Sequence, residues 1–179
     1  MLRLFIGLAL PDHIKDQLVP MASGIPEARW IDQQNLHLTL RFIGEVDEDI
    51  AEEIHSALSK LKFQGFTLQL TGVDCFRSRN KVRSVWAGIT PLASLKALRG
   101  RVESILVNTG LPPETRKFKP HVTLARLNLA KVTSVIPYLE ANAGFQTRQF
   151  QVKQLVLFQS HLSHGGATYV ALATYPERF

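Results

Sequence analysis

The pattern of apolar and polar positions predicts a chain that alternates β-strands with α-helices. From Asp47 to Lys62 apolar residues recur at helical spacing, acidic residues open the segment and lysines close it, as a helix dipole favours. A second helical pattern begins at Thr90-Pro91 and continues to Leu106, and shorter ones cover 12–20 and 133–139. Strand patterns occupy 3–9, 28–31, 36–43, 66–76, 82–89, 121–127, 150–158 and 167–175. We therefore expect a mixed α+β fold.

Two of these strands carry the same short motif. His37-Leu38-Thr39-Leu40 and His121-Val122-Thr123-Leu124 both read His-x-Thr-Leu, and they lie 84 residues apart. A β-strand places residues two apart on the same face, so each histidine shares a face with its threonine. Two such strands facing each other would bring two imidazoles and two hydroxyls to one small site, which suits acid–base chemistry on a phosphodiester.

The order of elements around the motifs indicates an internal repeat. Each half of the chain reads strand, helix, motif strand, helix, strand, and the motifs occupy equivalent positions in the two halves. No linker rich in Pro, Gly or Ser separates the halves. We expect a single domain over 1–179, built from two lobes at about 1–80 and 81–179 that are related by a pseudo-two-fold axis.

Composition and targeting signals narrow the class of protein. Apolar residues make up 45% of the chain, which is ordinary for a soluble globular protein. The apolar run from Leu2 to Leu10 is interrupted by Arg3 and ends at Pro11 without a cleavage site, and no stretch reaches the roughly 20 apolar residues of a membrane span. The single cysteine, Cys75, forms no internal disulfide and is expected to be a small core residue. These features predict a cytoplasmic protein without membrane contact.

The positive charge is concentrated around the second motif. Residues 1–75 contain 6 Lys and Arg against 11 Asp and Glu, whereas residues 76–126 contain 11 against 2. One basic cluster spans 77–83, and Arg116, Lys117 and Lys119 lie just before His121. A positive rim beside a catalytic face attracts a polyanion. Each basic residue taken alone is as compatible with an ordinary solvated loop.

The extended motifs resemble those of the 2H phosphoesterase superfamily, and within it the RNA 2′,3′-cyclic phosphodiesterase (2′-5′ RNA ligase) family of bacteria and archaea. The matching segments are Arg3-Leu-Phe-Ile-Gly7, Asn35-Leu-His-Leu-Thr-Leu-Arg-Phe-Ile-Gly-Glu45 and Pro120-His-Val-Thr-Leu-Ala-Arg126. The resemblance implies a bilobal α+β fold whose antiparallel sheets line a central cleft, with helices outside. It also implies hydrolysis of RNA 2′,3′-cyclic phosphate ends to 2′-phosphates without a metal or cofactor, and 2′-5′ ligation as a side activity.

The resemblance assigns roles to the motif residues. It implies that His37 donates a proton and His121 accepts one, whereas the residues themselves do not tell the two apart. Thr39 and Thr123 would hydrogen-bond the non-bridging phosphate oxygens. The expected partner is RNA with a 2′,3′-cyclic phosphate or a 2′-5′ linkage, and the expected protein is a monomer.

Phe42 and Arg126 each lie five residues after a motif histidine. The resemblance implies that Phe42 stacks on a base or ribose and that Arg126 binds phosphate. Strict alternation would place both on the face opposite the histidine, so a bulge or strand end must intervene. For Phe42, packing in the core is an equal alternative. For Arg126, burial on an apolar face would be costly, which favours the site.

The other histidines are expected to lie outside the site. His13 and His55 fall on helix positions that should be exposed, and the spacing of His161 and His164 before two glycines suits a turn. We expect no metal, since no cysteine or local acidic residue completes a ligand set, and no phosphate-binding loop of the P-loop type occurs. Tyr169 is either a residue of the cleft or an ordinary core or surface tyrosine.

Two alternatives remain open at this level. A non-catalytic module that holds single-stranded RNA ends would use the same basic and aromatic residues, although binding alone does not need two titrating groups. A different enzyme of the same superfamily would act on 2′-5′ linkages or on another cyclic phosphate. Assays on defined substrates separate these alternatives.

Overall fold

The computed structural model describes residues 1–176; residues 177–179, at the end of the expected domain, lie outside the described part. That part contains four α-helices, α1 (Asp12–Leu18), α2 (Glu48–Ser59), α3 (Ala93–Asn108) and α4 (Val132–Ala141), and two short 3₁₀ helices at Val19–Met21 and Gln33–Asn35. The strands are β1 (Leu2–Ala9), β2 (Arg29–Trp30), β3 (His37–Val46), β4 (Phe66–Ser78), β5 (Lys81–Thr90), β6 (Val122–Lys131), β7 (Phe150–Val152), β8 (Leu155–Ser163) and β9 (Gly166–Tyr175). The segment 150–158, expected as one strand, is divided between β7 and β8.

The strands form two antiparallel sheets, one in each lobe. The four-stranded sheet has the order β3-β1-β8-β9, and the five-stranded sheet has the order β2-β6-β5-β4-β7. Within each sheet a motif strand lies beside the first strand of its own repeat: β3 beside β1, and β6 beside β5. The expected α+β fold with two antiparallel sheets is confirmed.

The last strand of each repeat pairs in the other lobe. β4 follows β3 along the chain but joins β5 in the five-stranded sheet, and β8 follows β6 but joins β1 in the four-stranded sheet. The two sheets therefore do not follow the expected division at residue 80, because each sheet is assembled from strands of both halves of the chain. Repetition of the element order does not reveal this strand exchange, since it leaves the order of elements unchanged.

The helices cover the faces of the sheets that point away from the cleft. α2 packs against α3 and β9, α3 packs against β3, and α4 packs against β4, β5 and β6. The helical face of α3 predicted from the sequence is buried through Leu95, Leu98, Val102 and Leu106. Together with the inward side chains of both sheets these residues form one continuous core, and each fully buried Leu or Val contributes roughly 1.5–3 kcal/mol.

Each motif strand contains a bulge directly after its threonine. In β3, Thr39 pairs with Gly7 and Arg41 pairs with Ile6, so Leu40 has no partner on β1. In β6, Thr123 pairs with Trp86 and Ala125 pairs with Val85, so Leu124 is the extra residue. A bulge reverses the alternation of side chains beyond it. The fifth residue after each histidine is thereby returned to the histidine face.

Candidate active site

His37 begins β3 with both ring nitrogens engaged. Its Nδ1 lies 2.6 Å from the carbonyl oxygen of Asn35, and its Nε2 lies 3.0 Å from Oγ1 of Thr39. A carbonyl oxygen only accepts, so Nδ1 carries the proton and the neutral ring presents a bare Nε2. The Thr39 hydroxyl donates to that nitrogen in the neutral state. His37 and Thr39 thus share a face, as the motif predicts.

His121 repeats the Nδ1 contact in the other lobe, but among the described residues no hydrogen bond joins its Nε2 to Thr123. Its Nδ1 lies 2.6 Å from the carbonyl oxygen of Lys119, two residues earlier, so this ring also exposes Nε2 for proton transfer. The same offset of two residues relates Asn35 to His37. In both motifs a backbone carbonyl therefore fixes the tautomer of the neutral ring with the proton on Nδ1. The His-x-Thr pattern alone does not reveal this hydrogen bond.

Aromatic side chains surround both imidazoles. The rings of Phe5 and Tyr169 each lie 4.9 Å from the His37 ring, with Phe158 at 5.9 Å. Phe76 lies 4.8 Å and Trp86 5.7 Å from the His121 ring. These rings hold the imidazoles in place and exclude part of the water around them. Tyr169 also lines the cleft, which decides between the alternatives left open for it.

Burial and positive charge lower the pKa of both histidines below the usual 6.5. For His37 burial has the largest effect; the hydrogen bond to Asn35 opposes it, and the charges of Arg126, His121 and Lys15 lower the pKa further. For His121 burial is again the main cause, opposed by the bond to Lys119 and reinforced by the charges of Lys119 and Arg126. Arg126 acts on both rings, so its guanidinium lies within electrostatic reach of both histidines.

The bulges place Phe42 and Arg126 on the histidine side of their strands. Phe42 is 53% exposed, and its ring lies 5.7 Å from Phe5, which itself packs on His37. The alternative of Phe42 packing in the core is therefore wrong. Arg126 is exposed and lines the same cleft as Phe42. The structure thus brings His37, Thr39, Phe42 and Arg126 to one region, with His121 coupled to it electrostatically.

Both lobes contribute to a cleft of about 830 Å³. Among the described residues its walls hold four arginines and a single acidic residue, Asp32; the arginines are Arg3, Arg29, Arg116 and Arg126. Such a surface favours a polyanion. Of the two predicted basic clusters, the 116–119 segment reaches the cleft through Arg116, whereas the 77–83 hairpin contributes no lining residue within the described chain.

Arg29 was not singled out by sequence analysis, although it lies opposite Arg126. β2 pairs with β6 in a register that places Arg29 directly across from Arg126 and Trp30 across from Ala125. A strand of two residues gives little periodicity, so only its position beside the aromatic Trp30 offered a signal.

A buried ion network joins β3 to the loop that precedes His121. Arg41, 8% exposed, donates from Nε to Oε2 of Glu103 at 2.6 Å and from Nη2 to the carbonyl oxygen of Pro112 at 2.6 Å. Its Nη1 also bonds the carbonyl oxygen of Phe42. Burial alone raises the pKa of Glu103, but hydrogen bonds from the Glu114 backbone and from Arg41 outweigh it and lower the pKa overall. The network ties the first motif strand to the segment that carries the second motif.

The remaining predicted residues have mixed outcomes. His13 is exposed, as expected. His164 lies in the turn between β8 and β9, but it lines the cleft, so the expectation that it lies outside the site is wrong. His161 lies within β8. The expectation for His55 is wrong: it is half-buried, and its Nδ1 lies 2.7 Å from the hydroxyl of Tyr175. Cys75 is only partly buried, although it packs against the core.

Within residues 1–176, no three His, Cys, Asp or Glu side chains come together in an arrangement that would hold a metal ion. Over the same residues, no helix has the length and apolar character that crossing a membrane requires.

A family model described as LigT like Phosphoesterase matches residues 8–86 and 90–169, and each matched segment contains one His-x-Thr motif. A relative from Aeropyrum pernix, named RNA 2′,3′-cyclic phosphodiesterase, is 36% identical over 152 residues, which cover 84% of this chain and 86% of the relative. A relative of the same name from Escherichia coli is 30% identical over 174 residues, with coverage of 95% and 93%.

Solved structures of phosphoesterases share the fold of this chain. One described as a phosphoesterase superposes with a TM-score of 0.81 at 30% identity and covers 98% of both chains. Escherichia coli LigT complexed with 3′-AMP superposes with a TM-score of 0.78 at 28% identity and covers 97% of both chains. The fold and the paired histidine site define a two-lobed phosphoesterase of the 2H superfamily. The chain belongs to the LigT-like phosphoesterase family.

Proposed function

We propose that this protein hydrolyses RNA 2′,3′-cyclic phosphate ends to 2′-phosphomonoesters. The observation that carries the proposal is the pair of histidines, each with Nδ1 bound to a carbonyl oxygen two residues earlier and Nε2 left for proton transfer. Relatives over most of the chain named RNA 2′,3′-cyclic phosphodiesterase support this substrate. The cationic cleft suits an RNA end.

Ring opening requires two proton transfers. Water attacks the phosphorus and gives its proton to Nε2 of His121, while the bond from phosphorus to the ribose 3′-oxygen breaks. Nε2 of His37 gives a proton to that departing oxygen, and the phosphate remains on the 2′-oxygen. The assignment of His37 as donor and His121 as acceptor follows the resemblance.

The charge of the substrate assists proton donation by His37. In the free protein, burial and neighbouring cations favour the neutral form of His37. A bound phosphodiester is an anion, and an anion beside an imidazole favours its protonated form. Substrate binding therefore raises the pKa of His37 and prepares it to donate.

The neighbouring residues position the phosphate. In this proposal Thr39 and Thr123 donate hydrogen bonds to the non-bridging oxygens, Arg126 stabilises the charge that develops on the pentavalent phosphorus, and Phe42 stacks on the terminal base or ribose. The exposed ring of Phe42 and the cation shared by both histidines suit these roles. We further propose that the reaction needs no metal or cofactor, and that the enzyme is a monomer. In this proposal 2′-5′ ligation is a minor side reaction, because water competes with the 5′-hydroxyl of a second RNA for the same cyclic phosphate.

The decisive experiment uses an RNA oligonucleotide that ends in a 2′,3′-cyclic phosphate, incubated with chelator-treated protein. The expected product carries a 2′-phosphate, and His37→Ala and His121→Ala each remove nearly all turnover. His13→Ala, on the exposed face of α1, is the matched control and should retain the wild-type rate. A 3′-phosphate product, or turnover in both histidine variants, would overturn the mechanism.

Other results would point to the alternatives. Loss of activity with chelator that zinc restores would overturn metal independence. Tight retention of the RNA without turnover would favour a binding module, and turnover confined to 2′-5′ linkages or another cyclic phosphate would favour a different enzyme of the superfamily.

A further inference from the structure

Arg29 and Arg126 form a cross-strand pair of like charges. They are direct partners in the antiparallel ladder between β2 and β6, and both are exposed and line the cleft. Neither arginine makes an ion pair or side-chain hydrogen bond with any residue in the described range 1–176. Like charges directly opposite each other destabilise a sheet. Such a pair is stabilised when an anion lies between or beside the two guanidinium groups.

The two arginines differ in their relation to the histidines. The charge of Arg126 lowers the pKa of both His37 and His121, whereas Arg29 influences neither. Arg29 lies one strand further out, about 4.8 Å away in the direction of the ladder. Arg126 therefore belongs to the reacting phosphate, and Arg29 provides a second cationic position beside it.

The chemistry of an RNA end limits what this second position binds. A 2′,3′-cyclic phosphate is the last phosphate of its chain, so any neighbouring phosphate is attached to the 5′-oxygen of the same terminal nucleoside. Phe42 and Tyr169 line the same cleft as the two arginines, so a nucleoside bound in the cleft has both cationic and aromatic side chains in its walls.

We propose that Arg29 binds the phosphate on the 5′-oxygen of the terminal nucleotide. The inference rests on the proposed function and extends it. The preferred substrate is then a nucleotide that carries a 5′-phosphate group, and a bare nucleoside 2′,3′-cyclic phosphate is a poorer one. That phosphate is either the internal linkage of an RNA chain or a free 5′-monophosphate, and the test separates the two.

The test compares three substrates that end in adenosine 2′,3′-cyclic phosphate. The first has a free 5′-hydroxyl, the second has a 5′-monophosphate, and the third is the diadenosine dinucleotide with an internal phosphodiester. For the wild type we expect kcat/KM to be one to two orders of magnitude higher for the second and third than for the first, the range of one charge-assisted contact. A higher value for the dinucleotide than for the 5′-monophosphate identifies the linkage within a chain as the ligand; the reverse identifies a free 5′-phosphate.

Arg29→Gln tests the residue, and Arg148→Gln is the matched control. Arg148 is exposed and does not line the cleft, so its substitution removes the same charge from another part of the protein surface. Arg29→Gln should reduce the ratio of kcat/KM between phosphorylated and unphosphorylated substrates to nearly one, and Arg148→Gln should keep the wild-type ratio. The salt dependence of the dinucleotide reaction should also become shallower in Arg29→Gln, by about 0.7 in the log–log slope for one phosphate contact.

A binding measurement keeps the subsite testable without turnover. Adenosine 2′-phosphate and adenosine 2′,5′-bisphosphate differ only in the 5′-phosphate, and the wild type should bind the second more tightly by at least tenfold. Equal affinities, or a wild-type ratio retained by Arg29→Gln, would overturn the subsite. Absence of hydrolysis of all three substrates would instead overturn the proposed function, so the two failures are distinguishable.

Discussion

Nε2 of His37 and Oγ1 of Thr39 lie 3.0 Å apart on the same face of β3. The backbone carbonyl of Asn35 already occupies the other ring nitrogen, so the threonine hydroxyl is the hydrogen-bond partner of the nitrogen that would exchange the proton. In the free protein the hydroxyl holds the ring orientation. With substrate bound, the same hydroxyl would be available to a phosphate oxygen.

Removing this hydroxyl should reduce catalysis without unfolding the protein. Thr39→Val keeps the shape of the side chain but loses the donor, and we expect kcat/KM to fall by about tenfold to a hundredfold. Thr39→Ser, which restores the hydroxyl, should recover most of the activity. Steady-state kinetics on an oligonucleotide with a cyclic end measures both. Full activity in Thr39→Val together with a loss in Thr39→Ser would show that the methyl group, and not the hydroxyl, matters.

The lowered histidine pKa values predict an acidic pH optimum. The pH dependence of kcat/KM reports the groups of the free enzyme, and both histidines have a pKa below 6.5. One histidine must be neutral and the other protonated, so the bell should peak below pH 6.5 and fall as the pH rises above it. Arg126→Gln removes a charge that lowers the pKa of both histidines, and its whole profile should shift to higher pH despite a lower maximum.

Lys15 provides a way to assign the two limbs of that bell. Its charge lowers the pKa of His37 and has no such effect on His121. Lys15→Gln should therefore raise the apparent pKa of one limb only. The limb that moves is the one on which His37 titrates, and movement of both limbs, or of neither, would contradict a selective effect of Lys15 on His37.

The buried network around Arg41 predicts a large difference between two arginine substitutions. Arg41→Met leaves Glu103 and the Pro112 carbonyl without their donor and should lower the free energy of unfolding by about 3–5 kcal/mol. Arg116→Met removes an arginine whose side chain is 76% exposed in its pair with Glu114, and its cost should stay below about 1 kcal/mol. Urea unfolding of both variants makes the comparison. Equal midpoints would show that the Arg41 network contributes no more than a surface pair.

Sequence patterns predicted the helices and strands that carry the candidate site, but not the long-range contacts between those elements. The helical spacing of Leu95, Leu98, Val102 and Leu106 marked the buried face of α3, and alternation placed His37 beside Thr39. Alternation also required a bulge or a strand end before Phe42, and the structure shows a bulge at Leu40. The position of that bulge depends on pairing with β1, which local sequence does not encode.

Long-range pairing also explains what sequence analysis missed. His55 occupies a helix position that local periodicity marks as exposed, yet the hydroxyl of Tyr175, 120 residues away, covers it. Arg29 is placed opposite Arg126 by the pairing of β2 with β6, which the local sequence does not predict. The exchange of β4 and β8 between lobes leaves the order of elements unchanged, so the order alone could not locate the lobe boundary.

The strand exchange bears on how the cleft can move. The chain passes from one sheet to the other between β1 and β2, between β2 and β3, between β3 and β4, and between β7 and β8. If the two sheets moved about a single hinge, the chain would pass between them once, or at adjacent segments that bend together. In this fold four separate connecting segments would have to bend at the same time. We therefore expect the two sheets to be nearly rigid relative to each other, with a fixed distance between the two histidines. Substrates would then be selected by their fit to a preformed cleft and not by closure of the cleft around them.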